Sequence, residues 1–233
     1  MKKVVLIFSL LSCVACIGQG INIYDEFLAI NERYANLKQM SVDIEMSYQD
    51  NEGTIIQIQR GKVVYADEFY YSKIAGQITM LDKKNYLSVN KNNRLITVSN
   101  YSWDSAVEPS KKGISEQLDS LWKLKDNLTY SVVSVTQNTV RIAVEDSSNP
   151  FYSSYELLID IKDKKLLEYV YHSRKLENGD GISTIRIKYL NESTKPKLSN
   201  KEFKLNFYVS KNRDKYSVTD QFNNYQLIDQ TKY

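Results

Sequence analysis

The hydrophobic residues of this chain follow two periods, one typical of a helix and one typical of strands. Phe27, Ile30, Tyr34 and Leu37 recur at intervals of three and four residues. That spacing places all four on one face of a helix, while polar residues fill the other faces. The sequence therefore predicts an amphipathic helix over 23–38 with one buried face.

After this helix the period falls to two. Val42, Ile44, Met46 and Tyr48 alternate with polar residues, which is typical of a strand with one buried face. Shorter runs with strand propensity follow, and polar or glycine-containing turns separate them. These predicted strands cover 55–65, 69–74, 77–81, 86–89, 95–99, 130–135, 140–144, 155–161, 166–172 and 182–189.

A second helical pattern interrupts the strands. Ile114, Leu118, Leu121 and Trp122 lie at helical spacing within 110–126. The whole pattern predicts a mainly β fold (α+β) with about eleven antiparallel strands. Because twist accumulates in so large a sheet, we expect a curved, half-open barrel. The N-terminal and central helices are expected to cover its concave face.

The first residues predict an export signal. Lys2 and Lys3 are basic, 4–11 is apolar, and small residues follow. The apolar stretch is shorter than the roughly 20 residues that a membrane-spanning helix needs. We predict a signal peptide over 1–18, one domain over 19–233, and export to the periplasm of a Gram-negative-type bacterium.

Two cleavage sites compete within this leader. Small residues before Gln19 favour ordinary signal peptidase, whereas the run that ends at Cys13 fits a lipobox. Cleavage before Gln19 leaves no cysteine in a mature chain of about 210 residues, so the core alone must stabilise it. Lipidation at Cys13 would instead anchor the protein in the outer membrane. The first alternative is favoured.

Charge and composition indicate no polyanionic partner. The formal net charge of +3 falls to +1 once Lys2 and Lys3 are removed. The remaining charges of both signs are interspersed along the chain. We therefore expect no nucleic-acid partner.

The residues that carry chemistry form no catalytic pattern. His172 is the only histidine, so a zinc site or a Ser-His-Asp triad has little support. It is predicted to be a partly exposed strand residue. Acidic pairs such as Asp160 with Asp163 fall at hairpin ends, where solvated charges are expected. We predict a protein that is not an enzyme and binds no metal or cofactor.

The order of elements resembles a known family. A leader, one helix, a long meander, a central helix and a second meander that ends in a Phe-x-Leu-x-Phe strand follow one another. Loose matches lie at 34–43, 61–65, 157–160, 185–189 and 203–207. Most of 22–210 is thus similar to the periplasmic outer-membrane lipoprotein carriers and receptors (LolA/LolB-like).

This resemblance implies a half-open barrel whose helices cover an apolar cavity for the acyl chains of a lipoprotein. One feature departs from the family. In the carriers a basic residue followed by proline usually closes the third strand run. The corresponding turn here, Ala66-Asp67-Glu68, is acidic. The resemblance therefore supports the fold more strongly than lipoprotein transfer.

The leading hypothesis is a non-enzymatic carrier that binds a lipid or an acyl chain between the curved sheet and its helices. The alternative is an envelope module that holds a protein partner on the same scaffold. Either face of each strand could be the inner one. Strand and helix parity select these candidate cavity residues: Val42, Ile44, Met46, Ile58, Val63, Tyr65, Tyr70, Met80, Leu118 and Trp122.

The tail over 211–233 extends past the last predicted strand. Val218, Phe222, Tyr225 and Leu227 are its spaced apolar residues. They favour docking of the tail on the sheet, and a partner-binding extension is the alternative.

Overall fold

The structure, a computed structural model, describes residues 22–66, 68–101, 118, 128–174, 181–213 and 215–231. Most of them lie in strands. The elements in chain order are α1 (Ile23–Asn36), β1 (Gln39–Asp50), β2 (Ile55–Ala66), β3 (Phe69–Ile74), β4 (Gln77–Leu81), β5 (Asn85–Asn90), β6 (Leu95–Asn100), β7 (Thr129–Val135), β8 (Thr139–Glu145), β9 (Tyr152–Asp160), β10 (Lys165–Ser173), β11 (Ile182–Ser193), α2 (Leu205–Tyr208), β12 (Val209–Asn212), β13 (Lys215–Val218) and β14 (Gln226–Asp229).

Helix α1 begins after a capping residue and ends where the backbone becomes extended. The side chain of Asn22 accepts a hydrogen bond from the backbone N of Tyr24 at 3.1 Å and so caps the first turn. Asp25 and Glu26 lie in that turn, where the helix dipole favours acidic residues. Leu37 is extended, so the helix ends two residues before the predicted limit.

Twelve of the described strands form one large, curved sheet that does not close into a barrel. Its order is β14-β6-β5-β4-β3-β2-β1-β11-β10-β9-β8-β7. Neighbouring strands are antiparallel except β14, which pairs with β6 in parallel. The mainly β class is confirmed, and the strand count exceeds the expected number because the tail adds a strand.

The sheet buries opposite faces in its two halves. Val63 and Tyr65 of β2 belong to one core with α1 and with strands β8 to β11. Val64 points to the other side and belongs to a second core with β3 to β6. We call the first side the helix face and the second the tail face, because the C-terminal segment packs there.

The C-terminal segment docks on the tail face. Tyr208, Val209 and Phe222 are buried against β3 to β6, and β14 then extends the sheet beside β6. The favoured docking of the tail is thus confirmed. The predicted Phe-x-Leu-x-Phe strand is wrong, because Lys201–Phe203 is a 3-10 turn and α2 follows it.

Several predictions fall outside the described residues. They include the leader with Cys13, the residue Asp67 of the acidic turn, and most of the central helix. Leu118 is the described part of that helix, and it is helical and fully buried in the core of the helix face. Within the described residues no helix is both long and apolar enough to cross a bilayer.

A candidate apolar binding face

Alternate residues of neighbouring strands build the helix face. In β1, Val42 and Ile44 point to this side, and their register partners in β2 are Val63 and Gly61. Directly opposed residues of antiparallel strands share a face. The pattern continues through β11, β10, β9 and β8, which add these buried residues: Ile187, Tyr189, Tyr169, Leu157, Ile159, Ile142 and Val144.

The structure brings most of the candidate cavity residues together on this face. Each of them lies in the core of the helix face or packs against it as a half-buried residue. They are Val42, Ile44, Met46, Val63, Tyr65, Tyr70 and Leu118. Trp122 lies outside the described residues. The role of these side chains in ligand binding remains a prediction.

Two candidates lie on the tail face instead. Ile58 is five residues before Val63 in the same strand, and an odd separation puts two side chains on opposite faces. Its side chain is 51% exposed. Met80 is the register partner of Tyr71, which belongs to the core beneath the C-terminal segment. Neither residue can therefore line a cavity with Val42 and Ile44.

The helix face has a fully buried part and a half-buried part. Phe27, Ile30 and Tyr34 of α1 are buried in its core. Other apolar residues of the same face pack against that core but stay only half-buried. They are Met46, Val63, Tyr70, Ile74 and Ile185. An apolar surface with a closed part and a half-open part therefore lies on one side of the sheet.

A cluster of tyrosines occupies the part of this face on β9 and β10. The ring centroids of Tyr169 and Tyr171 lie 4.6 Å apart, and those of Tyr155 and Tyr171 lie 5.7 Å apart. Tyr152 joins them at 5.1 Å from Tyr171. The sequence reasoning missed this cluster. The sequence does show that Tyr169 and Tyr171 are two residues apart and so share one face of a strand. Only the register of β9 against β10 brings Tyr152 and Tyr155 beside them.

Burial governs the ionisation of these phenols. Desolvation raises the pKa of Tyr171 to about 12, and nearby Tyr152 and Tyr155 add to the shift. Desolvation likewise raises the pKa of Tyr65 to about 12, with a further contribution from the Glu192 carboxylate. The phenols therefore remain neutral at physiological pH and contribute an apolar ring with a hydroxyl donor.

We expect the protein to lose stability in alkaline solution. An unfolded tyrosine ionises near pH 10, whereas Tyr65 and Tyr171 ionise near pH 12 when folded. Because the folded-state pKa values are raised, their contribution is complete below pH 10 and disappears as the pH rises through 12. The midpoint of urea unfolding should fall over this interval and fall less in a Tyr171→Phe variant. An equal fall in both proteins would contradict this assignment for Tyr171.

A cluster of polar side chains connects the C-terminal end of α1 to the sheet. Tyr34 donates its hydroxyl to Glu192 at 2.7 Å and accepts from the backbone N of Leu166 at 3.2 Å. Arg33 forms an ion pair with the same carboxylate. Desolvation, reinforced by the Glu192 carboxylate, raises the pKa of Tyr34 well above its usual range. These contacts join the helix to the ends of β10 and β11.

On strands β8 to β11, the side opposite to the helix face is charged. Arg141 donates to Glu156 at 2.9 Å and to Glu168 at 3.0 Å, and Arg186 donates to Glu168 at 2.6 Å. Charged side chains on one side and apolar side chains on the other identify the helix face as the apolar side of these strands.

His172 lies on this charged side. Its Nε2 is 3.3 Å from a carboxylate oxygen of Glu156, and its Nδ1 is 3.5 Å from the hydroxyl of Thr184. Its side chain is partly exposed, as the sequence predicts. The described residues contain no group of three or more His, Cys, Asp and Glu that could hold a metal ion.

Two surface pockets of about 420 Å³ each lie away from the helix face. Lys62, Lys195 and Lys197 contribute to the lining of one, and Lys204 and Lys211 contribute to the other. Because lysine ammonium groups line both pockets, neither pocket is a continuous apolar surface.

Comparisons with known proteins give low similarity. No family model and no curated protein matches the sequence. An uncharacterized conserved protein of Thermus thermophilus is 10% identical, with a TM-score of 0.45 and coverage of 89% of this chain and 99% of that chain. A LolA superfamily protein of Nitrosomonas europaea is 7% identical, with a TM-score of 0.32 and coverage of 78% and 99%.

A third match is the MucA/MucB complex of Pseudomonas aeruginosa. The identity is 12%, the TM-score is 0.41, and the match covers 72% of this chain and 56% of that chain. The LolA superfamily named above is the one that the sequence resembles.

Proposed function

We propose that the protein is a non-enzymatic, lipid-binding carrier of the cell envelope, and that an acyl chain binds on the helix face. One observation carries this proposal: part of the apolar helix face is only half-buried. Met46, Val63 and Ile185 on that part stay half-buried. An aliphatic chain laid on them would complete their burial.

The expected gain is large enough to hold a lipid. Burial of each methylene group contributes roughly 0.8 kcal/mol. The tyrosine cluster offers neutral hydroxyls beside the apolar rings, which suits the boundary between an acyl chain and a polar headgroup. Location in the periplasm and a link to lipoprotein sorting are part of this proposal and rest on the leader and the family resemblance.

Uptake of a fluorescent fatty acid by the purified protein tests the proposal. Ile185→Lys places a charge on the helix face in β11, so we expect about tenfold weaker binding, equivalent to about 1.4 kcal/mol. Leu190→Lys is the matched control, because Leu190 lies in the same strand on the charged side, opposite Asp43. We expect its affinity to match that of the unmodified protein.

Native mass spectrometry of the purified protein gives an independent readout. Bound lipid should be lost on extraction with organic solvent. A protein that carries no lipid and takes up no fatty acid would contradict the carrier function. Equal uptake by Ile185→Lys and Leu190→Lys would contradict the helix face as the binding site.

The second candidate is a module that binds a protein partner by strand addition. The edge strand β7 favours it, because Val132, Val133 and Val135 are exposed there and the strand carries no charged residue. Recovery of a stoichiometric protein partner without lipid would support this candidate over the carrier.

A further inference from the structure

One of the two surface pockets is formed by the sheet and by the chain that follows β11. Ser41 of β1 lies opposite both Val64 of β2 and Ser193 of β11. Directly opposed residues share a face, and Val64 belongs to the core of the tail face. These three side chains therefore form the floor of the pocket on the tail face. Its volume is about 420 Å³.

The chain between Ser193 and Phe203 forms a wall of this pocket and is held at both ends. The hydroxyl oxygen of Ser193 accepts a hydrogen bond from the backbone N of Lys195 at 3.2 Å. At the other end, the ring centroid of Phe203 lies 4.7 Å from that of Tyr71. Pro196 lies between them in the lining and restricts the backbone there. The wall is therefore attached to the sheet on two sides.

The lining of the pocket is basic. It contains Lys62, Lys195 and Lys197, and none of the described lining residues is acidic. The Nζ of Lys62 lies 2.8 Å from a carboxylate oxygen of Asp43. Within the described part of the chain, no carboxylate pairs with Lys195 or Lys197. Three ammonium groups and the one carboxylate thus leave two positive charges in excess.

Two other acidic residues, each adjacent in sequence to a lining residue, do not cancel this excess. Glu202 precedes Phe203, and its carboxylate lies 3.3 Å from the Nζ of Lys73. Glu192 of β11 forms an ion pair with Arg33 of α1. Each of these carboxylates therefore has a positive charge of its own beside it.

The remaining polar groups of the lining can donate hydrogen bonds. They are the hydroxyls of Ser41, Ser193 and Ser199 and the side-chain amide of Asn200. Although the oxygen of Ser193 accepts a hydrogen bond, its own hydrogen remains available. Ammonium and hydroxyl donors together suit an anion with several acceptor oxygens. A phosphate monoester has such oxygens and a charge of about −1.5 to −2 at pH 7, which matches the excess of two positive charges.

We propose that this pocket binds the phosphate group of a phosphorylated ligand. Val64, Pro196 and Phe203 supply an apolar part of the lining, against which an organic group bonded to the phosphate can pack. A soluble phosphate ester and the headgroup of a phospholipid both present this chemistry. Because the pocket lies on the tail face, the site is separate from the acyl-chain site proposed on the helix face.

Isothermal titration calorimetry with glycerol 3-phosphate at low ionic strength tests the proposal. We expect a dissociation constant of about 0.1 to 1 mM, no binding of glycerol, and weaker binding as salt is added. The double variant Lys195→Gln with Lys197→Gln removes the two unpaired charges and should bind about tenfold more weakly. Both lysines are exposed, so the variant should fold normally, which circular dichroism checks.

The double variant Lys211→Gln with Lys215→Gln is the matched control. It removes the same net charge from exposed residues of β12 and β13 that do not line this pocket. Its affinity for glycerol 3-phosphate should equal that of the unmodified protein. The comparison separates binding in the pocket from a general attraction between an anion and a basic protein.

Cosedimentation with lipid vesicles distinguishes the two sources of the phosphate group. The probe is a vesicle of phosphatidylcholine and phosphatidic acid in equal parts, because the headgroup of phosphatidic acid is a phosphate monoester. Vesicles of phosphatidylcholine alone are the control. Binding to the first vesicles that is lost in the Lys195 and Lys197 variant would assign the site to a phospholipid headgroup. Binding of glycerol 3-phosphate without vesicle binding would assign it to a soluble ester.

Three results would overturn the proposal. They are the absence of binding to both probes, unchanged binding in the Lys195 and Lys197 variant, and an equal loss in the Lys211 and Lys215 variant. Fatty-acid uptake by the Lys195 and Lys197 variant should equal that of the unmodified protein, because both substitutions lie away from the helix face. Phosphate binding and acyl-chain binding can therefore fail separately.

Discussion

Replacement of Phe222 by alanine is expected to lower the free energy of unfolding by about 3 to 5 kcal/mol. The ring is 8% exposed, and its centroid lies 5.3 Å from that of Tyr208 and 5.1 Å from that of Tyr225. Its removal opens a cavity between the C-terminal segment and the sheet. Urea unfolding followed by circular dichroism measures the change.

Phe151→Ala is the matched control for this prediction. Phe151 is 63% exposed, so its loss should change the free energy of unfolding by no more than about 0.5 kcal/mol. Similar effects of the two substitutions would contradict the view that the C-terminal segment is part of the folded core. The same result would revive the tail as a partner-binding extension.

Glu192→Ala is expected to be about as destabilising, at about 3 to 5 kcal/mol. Glu192 and Arg33 are 7% and 18% exposed in their side chains. Burial by itself would lower the pKa of Arg33, and the Glu192 carboxylate more than offsets this, so the pKa is raised. Without that carboxylate, a half-buried guanidinium and the hydroxyl of Tyr34 lose their acceptor. Thermal and urea unfolding measure the loss.

Two further variants separate the contributions. Glu192→Gln keeps an acceptor for Tyr34 but removes the charge, so we expect a smaller loss than for alanine. Tyr34→Phe combined with Glu192→Ala should cost less than the sum of the single changes, because both act on one contact. If Glu192→Ala lowers the free energy of unfolding by less than about 1 kcal/mol, this cluster does not stabilise the packing of α1 on the sheet.

Most strands could be predicted because their hydrophobic pattern is local. Val42, Ile44 and Met46 alternate, and they do share one buried face. The hydrophobic pattern alone does not show which residues share the helix face, because the tail face is also apolar in β3 to β6. Only the register between strands shows that Met80 belongs with Tyr71 on the side opposite to Val42.

The segment from Phe203 to Phe207 shows why a local pattern can mislead. Phe203, Leu205 and Phe207 alternate as in a strand, yet Phe203 and Phe207 are also four residues apart as in a helix. Packing decided between the two periods. In the structure Tyr208 is fully buried and its hydroxyl donates to the backbone O of Glu202 at 3.0 Å, which holds the segment in turns.

The parallel strand β14 could not be predicted because it depends on a long return of the chain. Residues 201–213 and 215–225 first cover the tail face, and only then does 226–229 reach the edge of β6. No spacing in the sequence records that path. The apolar residues of the tail predicted that it docks, and the direction of docking is set by tertiary contacts.

The alternation at the end of β2 has a consequence for the molecule as a whole. Val63 and Tyr65 contribute to one core, and Val64 between them contributes to the other. Three consecutive residues thus belong to two cores on opposite sides of a single backbone. Loss of order in either core would displace the same strand, so the two halves of the sheet are energetically coupled and should melt in one cooperative transition.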